Sequence, residues 1–180
     1  MKPRSNVGLY DSRFERESCG IGFVAHINKE PSHQNIKDAL SILCKMDHRG
    51  ARGAEPNSGD GAGILTGMPH AFFAKISKEL YATDLLSDSY SVGNIFLPND
   101  EEERETCKTY FEETCRENEL KIVGWRILPT DKKKADIGPT ALDAMPQIEQ
   151  VLIVDNLKNC DQEDFEKRLY LTRKKVSNHL

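Results

Sequence analysis

Cys19 opens an apolar run, Cys19-Gly20-Ile21-Gly22-Phe23-Val24-Ala25-His26-Ile27. Two glycine-punctuated segments follow it, His48-Arg49-Gly50-Ala51 and Gly59-Asp60-Gly61-Ala62-Gly63. A cysteine at the head of a small-residue strand suits a nucleophile that becomes a new N-terminus. The thiol then attacks while the α-amine of the same residue serves as base. That amine titrates near pH ~7.7–8.0, so a useful fraction of it is free at neutral pH. A cysteine beyond the second residue acquires such an amine only when the residues before it are cut away. Taken alone, Cys19 also reads as a core thiol, because free cysteine buries readily.

His48-Arg49-Gly50 carries two readings. The arginine can hold a carboxylate and the histidine can act as base. Alternatively, the segment is a helix end at which both side chains meet the negative end of the helix dipole and Gly50 takes a positive φ. Gly59-Asp60-Gly61-Ala62-Gly63 lacks the spacing of a dinucleotide fingerprint and the Gly-Lys-Ser/Thr ending of a phosphate loop. Its small residues let backbone pass close to the Cys19 strand. Asp60 either hydrogen-bonds local amides or takes a direct catalytic part. Cys44, Cys107, Cys115 and Cys160 have no C-x-x-C spacing, which argues against a zinc or iron–sulfur site within this segment. His26, His33, His70 and His179 form no recognisable ligand set. Trp125, between Gly124 and Arg126, is most simply core or sheet surface.

These residues must be held by a fold that 180 residues are enough to build around one core. Apolar residues make up 38% and charged residues 30%, a globular balance, and the net charge of −4 does not suit a nucleic-acid or anionic-membrane partner. The one basic run, Lys132-Lys133-Lys134, reads as a solvated loop. No apolar stretch reaches the ~18–20 residues of a membrane span. Arg4, Arg13, Glu15, Arg16 and Glu17 interrupt the first 18 residues and exclude a signal-peptide core. Five cysteines without close pairing fit a reducing compartment, hence the cytoplasm, or a plastid in a eukaryote.

The pattern predicts five strands, over 20–27, 64–66, 91–97, 121–128 and 150–154. Helices are predicted near 33–48, capped by Ser32 and ended by Gly50, and after Pro69 with Phe72, Phe73, Ile76 and Leu80 on one face. A third, capped by Asn99 or Asp100, turns Cys107, Tyr110, Phe111 and Cys115 to one side. A last one, capped by Asp161, turns Phe165, Leu169 and Val176 inward. Strands grouped with helices, without regular βαβ spacing, indicate an α+β fold.

A family resemblance is carried by several segments in order. These are Gly8-Leu9-Tyr10-Asp11, Glu17-Ser18-Cys19-Gly20-Ile21-Gly22-Phe23, Met46-Asp47-His48-Arg49-Gly50-Ala51, Ser58-Gly59-Asp60-Gly61-Ala62-Gly63-Ile64-Leu65, Gly138-Pro139-Thr140-Ala141 and Ile148-Glu149-Gln150-Val151. Through them the chain resembles the type 2 glutamine amidotransferase domain that opens glutamate synthase large subunits. The resemblance implies a four-layer αββα sandwich of the N-terminal nucleophile hydrolase type, with Cys19 at the start of an inner strand. Cys19 is then the nucleophile that attacks the side-chain amide of glutamine. Gly20, His48, Arg49, Gly50, Asp60 and Gly61 are candidates for pocket support, with Arg49 shaping the pocket from behind.

Relatives grip the glutamine carboxylate with an Arg-Phe-Ser-Thr segment and build the oxyanion hole from a His-Asn-Gly-Glu segment. Neither string occurs in residues 1–180. The expectation is therefore a leader over 1–18 and a domain over 19–180 that is truncated on its C-terminal side and inactive alone. For the parent protein the resemblance implies FMN, an iron–sulfur cluster, 2-oxoglutarate, a reduced nicotinamide or ferredoxin donor and a small electron-transfer subunit, with no cofactor in this segment. Two other readings stay open. One is a different type 2 amidotransferase, although those usually carry the cysteine directly after Met1. The other is a non-catalytic interaction module in which Cys19 is a core thiol.

Overall fold

A computed structural model describes residues 20–28, 30–51, 53, 55–59, 61–87, 89–157 and 161–179. The chain divides into two compact units, one of residues 1–66 with 137–140 and one of 67–136 with 141–180.

In the first unit the helix α1, His33–Lys45, is capped as expected: the Ser32 side chain accepts from the Gln34 N–H. A single 3₁₀ turn, Asp47–Arg49, follows it. Gly50 ends that turn at φ −89°, ψ 151°, so the positive φ expected of it is corrected to an extended one. Residues 20–27 and 64–66, expected to be strands, carry no ladder among the described residues. Ile21 and Phe23 are each 91% exposed and Leu65 is fully so. An apolar run becomes a strand only when an edge pairs with it, and hydrophobicity does not supply the partner.

The second unit is built on one antiparallel sheet of β1 (Tyr90–Leu97), β2 (Leu120–Ile127) and β3 (Gln147–Asp155), in the order β1-β3-β2. The central strand is covered on both faces, and Val151 and Leu152 have no exposed surface. Alternation along β3 sends these neighbours to opposite sides. Leu152 meets Phe73 of α2 (His70–Tyr81), Leu85 and Tyr90. Val151 and Ile153 meet Phe111 and Cys115 of α3 (Glu101–Glu117) and Phe165 and Val176 of α5 (Gln162–His179). Asp100 caps α3 through the Glu103 N–H, and Glu101, Glu102 and Glu103 fill its first turn, where the dipole favours them. A short helix, α4 (Pro139–Asp143), was not anticipated.

Packing also corrects one helix face. On α2 only Phe73, Ile76 and Ser77 are buried, while Phe72 and Leu80, expected to share that face, are 50% and 57% exposed. Gly124 explains how α2 approaches the sheet. A Cβ there would lie 2.2 Å from the Tyr81 ring, whose hydroxyl donates to the Trp125 carbonyl at 2.7 Å. The architecture is α+β with a small antiparallel sheet.

Candidate active site

Cys19, the residue on which the chemistry depends, and Asp60 lie outside the described residues. Their immediate neighbours are placed. Gly20 packs against the turn that follows α1: a Cβ on it would meet Met46 Sδ at 3.1 Å and the Arg49 Cβ at 3.4 Å. Gly22 lies closer still to α1, and a Cβ there would sit 2.5 Å from Ile42 Cγ2. The two glycines after the cysteine therefore let backbone lie directly on α1 and its terminal turn, the use to which glycine is put when backbone must approach closely. Met46 and Ile42 are the contact residues, and sequence reasoning had not named either for this role.

The His48-Arg49-Gly50 segment is thus brought to Gly20, through the arginine stem. His48 points elsewhere: its Nδ1–H donates to the Lys45 carbonyl at 3.0 Å, satisfying one of the carbonyls left over at the end of α1. The Gly50 N–H donates to the Asp47 carbonyl at 3.1 Å. His48 is accordingly a helix-end residue, and Arg49 is a wall against the residue after Cys19.

Gly61 and Gly63 have nothing within 4 Å of where a Cβ would be, so packing does not explain the absence of side chains. The stretch before them is tied down. Glu55 accepts from the Thr140 N–H at 3.0 Å, the Thr140 hydroxyl at 2.5 Å and the Ser58 hydroxyl at 2.7 Å. Those donors hold the Glu55 carboxyl below the usual carboxylate range, the Thr140 hydroxyl contributing most. Gly138 leaves room for this cluster: a Cβ on it would lie 2.3 Å from Glu55 Oε2 and 2.4 Å from Ser58 Oγ and would displace those side-chain ends. The sequence signals for this cluster were the Gly138-Pro139-Thr140-Ala141 string and Ser58 at the head of the Ser58–Leu65 string, and neither suggested a function for Glu55.

No group of three or more His, Cys, Asp or Glu able to hold a metal occurs among the described residues. Of the described cysteines, Cys44 is exposed, Cys107 half-buried and Cys115 buried, with its thiol pushed up to about 12 by burial and then by Glu112. These residues do not fit an iron–sulfur cluster, which needs several thiolates converging on one point. Among the described residues, no helix is long and apolar enough to cross a membrane. Among the described residues, a groove of about 570 Å³ beside Trp125 and two smaller concavities of the second unit are lined by none of the candidate residues.

Residues 19–180 match the family model of the class-II glutamine amidotransferases, and the chain belongs to that family. It is 38% identical over 177 residues to a glutamate synthase (NADH) of Schizosaccharomyces pombe, covering 96% of this chain and 8% of that protein. It is 36% identical over 171 residues to the glutamate synthase (NADPH) large chain of Bacillus subtilis, covering 95% and 11%. It is 35% identical over 170 residues to a chloroplastic ferredoxin-dependent glutamate synthase of Spinacia oleracea, covering 94% and 10%. The chain thus spans about a tenth of the length of these relatives.

Proposed function

We propose that Cys19 is the nucleophile of a glutaminase that serves a glutamate synthase. The observation that carries this reading is a family match whose first residue is Cys19 itself. The thiol passes its proton to the α-amine of Cys19 and the sulfur attacks the side-chain carbonyl carbon of glutamine. The tetrahedral oxyanion collapses, ammonia leaves with a proton returned by the ammonium, and a γ-glutamyl thioester remains. Water, deprotonated by the same amine, hydrolyses the thioester to glutamate and restores the thiol. Two easier steps replace one hard amide hydrolysis. The mechanism requires residues 1–18 to be removed as a leader.

Gly20 and Gly22 let the chain behind the nucleophile lie on α1, and Arg49 backs it. Gly50, Asp60 and Gly61 complete the support proposed for the pocket, and His48 acts only indirectly, by holding the end of α1 that leads to Arg49. The complete domain is proposed to be a four-layer αββα sandwich. The family match supports this reading. The ammonia would be used to convert 2-oxoglutarate to glutamate in the rest of the protein, where FMN, an iron–sulfur cluster and a reduced nicotinamide or ferredoxin donor would act, with a small electron-transfer subunit as partner. The names of the similar proteins support the nicotinamide or ferredoxin donor, since NADH, NADPH and ferredoxin all occur among them. The proposed compartment is the cytoplasm, or a plastid in a eukaryote.

The test is Cys19→Ala in the full-length protein, together with labelling by a diazo-ketone analogue of glutamine. The expected outcome is selective labelling of Cys19 and loss of glutamine-dependent synthesis in the variant, while synthesis from added ammonia persists. Equal loss of both activities in a folded variant, or no labelling of Cys19, overturns the reading and favours an interaction module.

A further inference from the structure

We propose that Arg126 is a binding point for the carboxylate of a small molecule that also carries an aromatic or aliphatic body. The inference goes beyond the glutaminase reading and does not depend on it. Arg126 ends a polar row that crosses all three strands of the sheet. Asn94 of β1 stands opposite Gln150 of β3, and Gln150 stands opposite Arg126 of β2. The Gln150 amide nitrogen donates to the Asn94 side-chain oxygen at 2.9 Å, and the Gln150 side-chain oxygen accepts from Arg126 Nε at 2.7 Å. The first bond fixes which end of the amide meets the arginine, and the second fixes the guanidinium. Gln150 is 6% exposed, so that orientation is set from within the sheet. The Phe72 ring of α2 adds a cation–π contact, 5.6 Å from Arg126 Cζ.

The groups that hold Arg126 are all uncharged. Three of the described arginines are half-buried, Arg104, Arg126 and Arg168. Arg104 lies 3.9 Å from Glu149, and Arg168 lies 2.8 Å from both Asp155 and Asp164. Among the described residues no carboxylate pairs with Arg126, and only its Nε has a hydrogen-bond partner. A guanidinium drawn partly out of water without a counter-charge carries a desolvation cost. A neutral side chain would complete the row at less cost, so the charge has another use. A fixed fork whose two terminal nitrogens are unpaired matches the two oxygens of a carboxylate. The next pair on the same face is Phe96 and Ile148, with Phe96 69% exposed, and Phe72 is 50% exposed. Apolar surface beside a fixed cation favours a carboxylate joined to an apolar body over a bare ion.

The test is modification of the full-length protein with phenylglyoxal, which attacks a guanidinium that no carboxylate covers, read at Arg126 by mass spectrometry. The probe is benzoate, compared at equal ionic strength with chloride and with neutral benzamide. Benzoate should slow modification of Arg126 ~10-fold, the factor expected of a charge-assisted hydrogen bond, and benzamide should not. In Asn94→Ala the Gln150 amide loses its second anchor, and most of the protection by benzoate should be lost. In Arg126→Lys, carbodiimide should form no cross-link from the introduced amine. Equal rates in chloride, benzamide and benzoate overturn the proposal. An Arg126 that is inert in chloride overturns it too; a cross-link in Arg126→Lys to a carboxylate of the same polypeptide would then show that a side chain takes the place given to the small molecule. Undiminished protection in Asn94→Ala overturns the part assigned to the row.

Discussion

Gly22→Ala tests whether the backbone behind the nucleophile must lie on α1. The new Cβ would fall 2.5 Å from Ile42 Cγ2 and 3.7 Å from Ile42 Cβ and Cδ1. Carbon atoms rest at ~3.5–4.0 Å, so the clash requires a movement of about 1 Å. Ile42 cannot supply it by rotating, because a β-branched side chain in a helix is held in one χ1 well about 90% of the time. Either α1 or the segment at 20–24 must shift, at a strain typical of overpacking, ~1–3 kcal/mol. A ~1 Å misplacement of a reacting group can cost ~10²-fold in rate. The expected result in the full-length protein is a 10- to 100-fold fall in kcat/KM for glutamine, on the order set by that misplacement, with the unfolding transition still cooperative. Ile42→Ala opens the space, so the double variant Gly22→Ala/Ile42→Ala should recover most of the lost activity. Full activity in Gly22→Ala would refute the packing argument. A double variant that shows only the sum of the two single losses would refute it equally.

Three further outcomes are expected, the first from the proposed mechanism and the other two from the packing of the second unit. N-terminal sequencing of the mature full-length protein should read from Cys19; a mature protein that retains Met1 would contradict the α-amine mechanism. Cys115 is 1% exposed and its thiol is pushed up to about 12, so the folded state disfavours the thiolate. Above the unfolded pKa of ~8.5 the unfolded chain therefore holds fewer protons, and stability falls by up to ~1.4 kcal/mol per pH unit from about pH 8.5 towards 12; denaturant unfolding of Cys115→Ala should lack that part of the alkaline slope. Glu149 is 5% exposed and lies 3.3 Å from the Lys108 ammonium and 3.9 Å from Arg104. Removing it in Glu149→Ala leaves two cations without their shared partner and should cost about 3 kcal/mol, the low end for a buried pair because Glu105 and the Trp125 ring still hold Lys108; a loss below ~1 kcal/mol would show that the ion cluster is solvated.

What could be read from sequence divides along a physical line. Ser32, Asp100 and the apolar spacing of α3 and α5 act locally, within one or two helical turns, and their helices were legible with nearly correct ends. β1, β2 and β3 were legible because β-branched and aromatic residues fill a strand buried on one or both faces. The strands expected at 20–27 and 64–66 rested on composition alone, and composition does not say what an edge pairs with. The misjudged face of α2 has the same root. Its helical period was right, but the width of the buried stripe depends on how far the sheet extends beneath it, and that left Phe72 and Leu80 in solvent.

The candidate site follows the same division. Cys19, Arg49 and the glycine strings stood out because unusual residue types sit at unusual spacings. Glu55 did not stand out, because a glutamate in a polar turn is ordinary until Thr140 arrives from 85 positions away. Ile42 and Met46 were legible as helix residues and illegible as the surface under Gly22 and Gly20, since a contact between a glycine and a methyl group leaves no mark on either segment alone. The three cases share one property. In each, a glycine leaves room for a neighbour: Gly20 for Met46, Gly22 for Ile42 and Gly138 for Glu55. Residue type can flag such a glycine, but only the fold names the partner, and the partner determines which substitution can compensate.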